Sequence, residues 1–563
     1  MARGDEPADL VVVGARVFSA FTREWLEGDV AVADGRFAGV GRYEGRETLD
    51  ARGSMLVPGF VDAHVHIESS MLTVERFAEV LLARGTTTVV ADPHELANVV
   101  GSRGVHWLLD AAAKVPLNVF LMAPSCVPAS RFESPRGPLD VDDMQAILDR
   151  EDALGVAEMM DFPAVIAGDP AALGKIAARG ATHVDGHAPG VSGRALNAYL
   201  AAGIASDHEA TTYEEALEKR RKGAWILIRE ASNARNLEAL LPLVRRYGPE
   251  RCAFCTDDRE ADVLVDEGHI DSMCRAAVGA GLSVEDALVL ASLNGAACHG
   301  LGELGAIAPG YRADFALIAD TGFRPSHVFK DGRLVAANGE AIPIPAPALP
   351  EWITDTVRIG PLSSSDFEIA ASGAPVRVIE LVPDQLLTGS GTALPRMSEG
   401  LASADPAGDL AKLAVVERHH ATGRVGKGFV RGFGLRDGAF ASTVSHDAHN
   451  IIVVGISDAD MAVCVRRLAE IAGGLVVARG GTVVAELPLP VAGLMSDQPG
   501  AAVAATLREL GAAARVLGVQ GRAPFMTLSF LGLSVIPSLK ITDRGLIDVD
   551  RFEVVPLEDR PRP

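Results

Sequence analysis

A chain of 563 residues exceeds what one compact core holds at roughly 150 residues per domain, so two to four domains are expected. Apolar residues at 48% and charged residues at 22% exclude a disordered or fibrous chain. With 52 basic against 74 acidic side chains the formal charge is −22; such a surface repels phosphate backbones and anionic lipid, and no nucleic-acid or membrane partner is expected. No stretch of about 18 apolar residues runs unbroken by charge or Gly/Pro punctuation, and Met1–Pro7 has no apolar core like that of a signal peptide. Six scattered cysteines make no disulfide framework. The expectation is a cytoplasmic protein with reduced thiols.

In chain order, short β patterns come first. Leu10–Val13, Asp29–Val32 and Phe37–Val40 are separated by turn signals that include Asp34-Gly35, a hairpin cue. The same style returns at Ala313–Ile318, His327–Phe329, Asp331-Gly332 and Arg333–Ala337. Residues 1–57 and 306–345 are therefore expected to build one small β-sandwich from both flanks of a central region. That region, 58–305, has another rhythm: eight apolar runs mostly followed by helical patterns. They start at Gly59, Thr88, Leu117, Gly155, Ala181, Gly203, Trp225 and Arg251. Their number and spacing, over a span near the ~250 residues typical of the fold, predict a (β/α)8 barrel in an α/β chain. Thr73 is placed to cap a helix over Val74–Ala83, and Ser283 to open one running to Cys298. A proline-rich linker begins at Ile342, with the joining segment extending to about 364, and 365–563 reads as a C-terminal α+β domain. Its strand is expected at Asn450–Gly455 and its helices at Asp458–Ala472 and Ala502–Ala514.

Polar residues capable of chemistry gather at the C-terminal ends of the predicted barrel strands, the rim on which barrel active sites lie. His64-Val65-His66 leaves the first strand, and residues i and i+2 of an extended chain point the same way, so both imidazoles reach one metal. Glu158 ends the fourth strand, Asp185-Gly186-His187 follows the fifth, Asp207-His208-Glu209 the sixth and Thr256-Asp257-Asp258 the eighth. Helix capping would account for any one of these sites alone, but poorly for all together. Cys252-x-x-Cys255 has no second half of a zinc knuckle and sits inside an apolar run, which makes it a pair of buried thiols. His446 and His449 in Val444–Asn450 read as a loop-ordering or interface cluster, with a third metal site as the alternative.

Val57-Pro-Gly-Phe-Val-Asp-Ala-His-Val-His resembles the opening signature of the amidohydrolase superfamily, and Ile307–Ala316 resembles the return into its sandwich. His66–Met71, Asp92-Pro-His-Glu, Ala157–Pro163, Val184–His187, Arg251–Asp258 and Val444–Asn450 narrow the resemblance to the adenine deaminase family, over nearly the whole chain. The resemblance implies hydrolytic deamination of adenine to hypoxanthine and ammonia, in purine salvage, at a site of two divalent ions. Mn2+ is favoured, with Fe2+ and Zn2+ as alternatives. His64, His66 and Asp257 would hold one ion and His187 and His208 the other. Glu158 would bridge them, where many relatives use a carboxylated lysine; the nearest downstream lysine, Lys175, lies in a helical stretch. Two ions lower the pKa of a shared water. Asp257, with an oxygen free to face that water, would shuttle its proton to the leaving amine, and Glu209 or His94 would protonate a ring nitrogen. Asp92 would fix a ligand imidazole through its far nitrogen, with Glu68, Asp258 and His446 behind the site or beside the substrate. A homo-oligomer, a dimer, is expected. Two other readings stand beside this one: a cyclic amidase or N-acyl deacetylase on the same fold and metals, and a non-catalytic binding protein on the same barrel. The C-terminal domain and the Glu158 bridge disfavour the first, and the full ligand set disfavours the second.

Overall fold

A computed structural model describes residues 1–178, 183–383 and 385–559. The first two residues of the predicted fifth strand, Ala181 and Thr182, and the end of the C-terminal segment beyond 559 lie outside the described residues. Eight parallel strands form the barrel: β1 (Phe60–Val65), β2 (Thr86–Ala91), β3 (Asn118–Ala123), β4 (Ala153–Met159), β5 (His183–Gly186), β6 (Ser206–Asp207), β7 (Trp225–Arg229) and β8 (Cys252–Cys255). They pair as runs of five and three, β5-β4-β3-β2-β1 and β6-β7-β8. Main-chain hydrogen bonds join the runs into a ring. Ala205 N donates to the Val184 carbonyl at 2.9 Å, and at the other seam Asp257 N donates to the His64 carbonyl at 3.0 Å. Covered on the outside by helices and filled on the inside by neighbouring side chains, β1, β2 and β8 are buried at every position.

Two sequence expectations shift. The sixth strand, expected from Gly203, is reduced to Ser206–Asp207, which pair with Trp225 and Ile226. The run from Ser283 to Cys298 is two helices, Val284–Leu290 and Leu293–Cys298. Ser283 does cap the first, accepting from Asp286 N at 3.1 Å. The break coincides with a tertiary contact: the Ala291 carbonyl accepts from Val61 N on β1 at 2.8 Å. A β-carbon on Gly295 would also stand 3.0 Å from the Val61 side chain, so the second helix packs directly against the strand.

Strands from both flanks of the barrel segment share one seven-stranded sheet. Met55–Pro58 pairs antiparallel with Phe315–Ile318 and parallel with Arg16–Ser19. It packs on a four-stranded sheet of Ala8–Val13, Asp29–Ala33, Arg36–Gly41 and Gly45–Asp50 around Val12, Val32, Phe37, Phe315 and Phe329. Both Asp-Gly pairs turn hairpins with positive φ at each residue, 51° and 72° at Asp34-Gly35 and 48° and 70° at Asp331-Gly332.

The C-terminal part is built on an eight-stranded sheet that includes Ala411–Val416, Ala439–Ser442 and Ile451–Gly455, with helices Asp458–Glu470 and Gly500–Val516. It lies directly on the barrel. Thr542 Oγ1 donates to the Phe132 carbonyl at 2.7 Å, Ser134 Oγ to Asp543 at 2.8 Å, and Thr73 N to the Ser496 carbonyl at 3.0 Å. The proline-rich segment is held too: Ile344 N donates to Glu79 at 2.8 Å.

Candidate metal centre

Strand geometry brings six predicted side chains from five strand ends to one point, all of them buried. Glu158, on β4, divides its two oxygens between two groups of donors. Its Oε1 lies 3.3 Å from His66 Nε2 and 3.9 Å from His64 Nε2. Its Oε2 lies 2.6 Å from His187 Nδ1 and 3.2 Å from His208 Nε2. Asp257 Oδ1 joins the first group, 3.0 Å from His66 Nε2 and 3.6 Å from His64 Nε2. Asp257 reaches that point because its backbone is left-handed, φ 57°, just past β8, where its main chain also bridges to β1.

The donor chemistry fits bound cations. His66 Nδ1 faces the Asp92 carbonyl at 2.9 Å. A carbonyl only accepts, so Nδ1 carries the hydrogen and a neutral His66 has its lone pair on Nε2. That lone pair meets Asp257 Oδ1, Glu158 Oε1 and His64 Nε2, the last at 3.2 Å. Acceptors converging in a buried space are stable only around positive charge. The electrostatics agree. Burial works to lower the His66 pKa, yet Asp257, Asp258 and Glu158 outweigh it and raise it well above the ordinary value. Burial likewise works to raise Glu158, and the His187 and His208 imidazoles hold it well below the usual carboxylate range.

The other predicted residues surround this core. Asp92 acts on a ligand through its main chain rather than its carboxylate: the carbonyl holds His66, while the carboxylate faces His94 Nδ1 at 3.1 Å. Glu209 lies 3.5 Å from His208 Nε2, but its oxygens are forked onto the Arg229 guanidinium. Arg229 also donates to Asp257 Oδ2 at 2.8 Å, so the oxygen expected to be free is already an acceptor. Glu68 stands back from the core. One oxygen accepts from Leu96 N at 3.0 Å, and burial and neighbouring Glu95 push its carboxyl up to about 8. Asp258 accepts from Ser69 Oγ.

Arg229 escaped the sequence reading. Its one signal is a lone charge closing the apolar run of β7, and the structure buries it completely. Cys252 and Cys255 are buried free thiols.

Above the centre the C-terminal part forms a roof. His94 Nε2 stands 3.5 Å from Asp447 Oδ1, and His446 Nδ1 stands 3.4 Å from the same oxygen. The His446 ring lies flat on Phe530, centroids 4.4 Å apart and planes 12° apart. Between roof and rim a cavity of about 20 Å³ remains, lined by these residues and by Leu386, Leu533 and Ile536. His449 turns elsewhere, its Nε2 lying 3.4 Å from Glu95.

Known proteins share this organisation. Residues 55–335 match the model of the amidohydrolase family, and residues 385–553 match that of the adenine deaminase C-terminal domain. The chain is 45% identical over 559 residues to adenine deaminase 2 of Carboxydothermus hydrogenoformans, covering 99% of this chain and 98% of that protein. It is 46% identical to the adenine deaminase of Desulfatibacillum aliphaticivorans with the same coverage. To that of Nitratidesulfovibrio vulgaris it is 48% identical over 560 residues, covering 98% and 97%. Matched nearly end to end at these identities, barrel and C-terminal part together, the chain belongs to the adenine deaminase family of amidohydrolases.

Proposed function

We propose that the chain deaminates adenine hydrolytically, releasing hypoxanthine and ammonia, at a centre of two divalent cations. The observation that carries this is Glu158, one carboxylate placing an oxygen in each of two histidine-rich donor groups. His64, His66 and Asp257 would hold one ion, His187 and His208 the other, and Glu158 both. Imidazole and carboxylate suit Mn2+, Fe2+ and Zn2+; the family resemblance favours Mn2+. When bound, such ions supply a water that ionises near neutral pH and positive charge opposite the developing transition-state charge.

The chain's own groups do the rest. Asp257 takes the proton from the attacking water and passes it to the departing amine, and Arg229 fixes the orientation of its carboxylate. His94 is the better placed donor to a ring nitrogen: its Nε2 is buried at the cavity without a hydrogen-bond partner, and Asp92 orients its far side. Glu209 serves instead as a counter-ion. Burial would raise its pKa, and Arg229 outweighs burial, keeping it ionised and a poor acid. We place the reaction in purine salvage in the cytoplasm, in a homodimer.

The reading is tested by metal analysis together with spectrophotometric conversion of adenine and ammonia release. Two equivalents of Mn2+ and turnover of adenine are expected, both lost in Glu158→Gln, with turnover lost in Asp257→Asn. Protein carrying two equivalents that hydrolyses cyclic amides or N-acyl groups but not adenine would overturn it.

A further inference from the structure

Which groups recognise the purine follows from the placement of the reacting atoms. The amine and carbon six must lie against the rim of the barrel, because the donor groups converge there. A flat bicyclic ring held so directs its opposite edge, N3 beside N9–H, at the roof. The roof presents two consecutive residues from the turn between strands Ala439–Ser442 and Ile451–Gly455, His446 and Asp447, exposed by 3% and 1%. Although buried, His446 Nε2 and Asp447 Oδ2 have no hydrogen-bond partner, and both residues line the cavity over the centre. Buried polar atoms are nearly always paired, so unpaired ones around a shared cavity mark where a ligand completes the bonding.

In this closed arrangement the pair is held in position. Glu133, from the loop after β3, accepts through Oε2 from the main-chain N–H of Asp447 at 3.3 Å and of Ala448 at 3.1 Å. Its other oxygen accepts from Ser534, and the Phe530 ring backs His446. With its Nδ1 turned to the Asp447 carboxylate and its Nε2 3.9 Å from Asp258, His446 donates through Nε2 as the imidazolium, which Asp258, Glu95 and Asp447 favour against burial. An imidazolium N–H beside a carboxylate is complementary to a ring nitrogen lone pair beside a ring N–H, the two features that adjoin on the far edge of adenine.

We propose that His446 and Asp447 are the purine-recognition pair, His446 donating to N3 and the Asp447 carboxylate accepting from N9–H, so that the site selects the free base over N9-substituted purines. This rests on the deaminase reading above. The cavity of about 20 Å³ holds about one water, so admitting the ring requires the bonds from the Asp447 and Ala448 N–H groups to Glu133 to open and then re-form over the far edge.

The test compares kcat/KM for adenine, 9-methyladenine and 3-deazaadenine on the Mn2+-loaded protein, followed by ammonia release. For the parent chain we expect a drop of roughly 10³-fold or more for 9-methyladenine, since a site built to bond an N–H rejects the analogue lacking it. For 3-deazaadenine the expected drop is about 10–100-fold. Asp447→Ala should narrow the adenine to 9-methyladenine ratio at least tenfold, while Asp447→Asn, which keeps an acceptor oxygen, retains more of it. His446→Phe, which keeps a ring on Phe530, should abolish the 3-deazaadenine penalty while still rejecting 9-methyladenine. A parent chain that turns over adenine and both analogues alike overturns the assignment, as do ratios unmoved in the variants. A parent chain that releases no ammonia from adenine overturns the deaminase reading instead. If the variants do not fold, the analogue series on the parent chain decides.

Discussion

Arg229 is the only guanidinium in contact with the barrel-rim carboxylates of Glu209 and Asp257 among the described residues, and all three are buried. Removing one partner of such a cluster leaves charge unpaired in a low-dielectric site, which typically removes about 3–5 kcal/mol of stability. Arg229→Met is therefore expected to lower the unfolding free energy from urea titration by that amount, with a lower midpoint, and Arg229→Lys to recover only part, because an ammonium cannot reproduce the fork. An unchanged midpoint in Arg229→Met would show that the pair is not a structural element. Glu158→Gln tests the centre itself. Its metal content is expected to fall below two equivalents and its kcat/KM by more than the roughly 10–100-fold that loss of an outer partner of a ligand costs. At this scale the histidines and acids were legible because residue type and strand-end position coincide. Arg229 was not, since a basic residue ending an apolar run reads equally well as a solvent-facing strand end. Nor could the sequence tell that Asp92 would hold His66 by a carbonyl, an atom every residue possesses.

Lys540, on the buried strand Leu539–Thr542, ties together two segments that line the cavity, donating to the Leu386 carbonyl at 2.8 Å and the Phe530 carbonyl at 3.0 Å. Burial, with no acidic partner among the described residues, brings its pKa down to about 7 from an ordinary value of 10.5. Between those two values the unfolded chain binds the extra proton, so this residue's contribution to stability rises with pH across that window. The unfolding free energy of the parent chain minus that of Lys540→Met should therefore rise from pH 7 to pH 10; a value that is flat or falls would place the ammonium in a solvated or paired setting. Elements were legible where a local rule acts alone, as at the two Asp-Gly hairpins and the Ser283 cap. The helix break at Ala291–Ser292 was hidden because the group it meets, Val61 N, lies some 230 residues away in sequence.

Across the whole molecule, barrel and C-terminal part are locked by buried polar contacts, among them Ser130 to Ser534 at 2.6 Å and Ser134 to Asp543 at 2.8 Å. Such an interface couples the two parts, and calorimetry is expected to give one cooperative unfolding transition; two resolved transitions would show independent units. The barrel could be read from its eight runs and His446 could be placed near the site, but the meeting of Asp447 with His94 could not be read, because more than 350 residues of chain lie between them. The sandwich carries a related cost in time. Strand Met55–Pro58, paired on one edge with Arg16–Ser19, finds its second partner only when Phe315–Ile318 exists. At roughly 5–20 residues per second on the ribosome, that wait of about 260 residues lasts on the order of tens of seconds. Throughout it the amino-terminal strands carry an unsatisfied edge, a window in which a nascent-chain chaperone has most to protect.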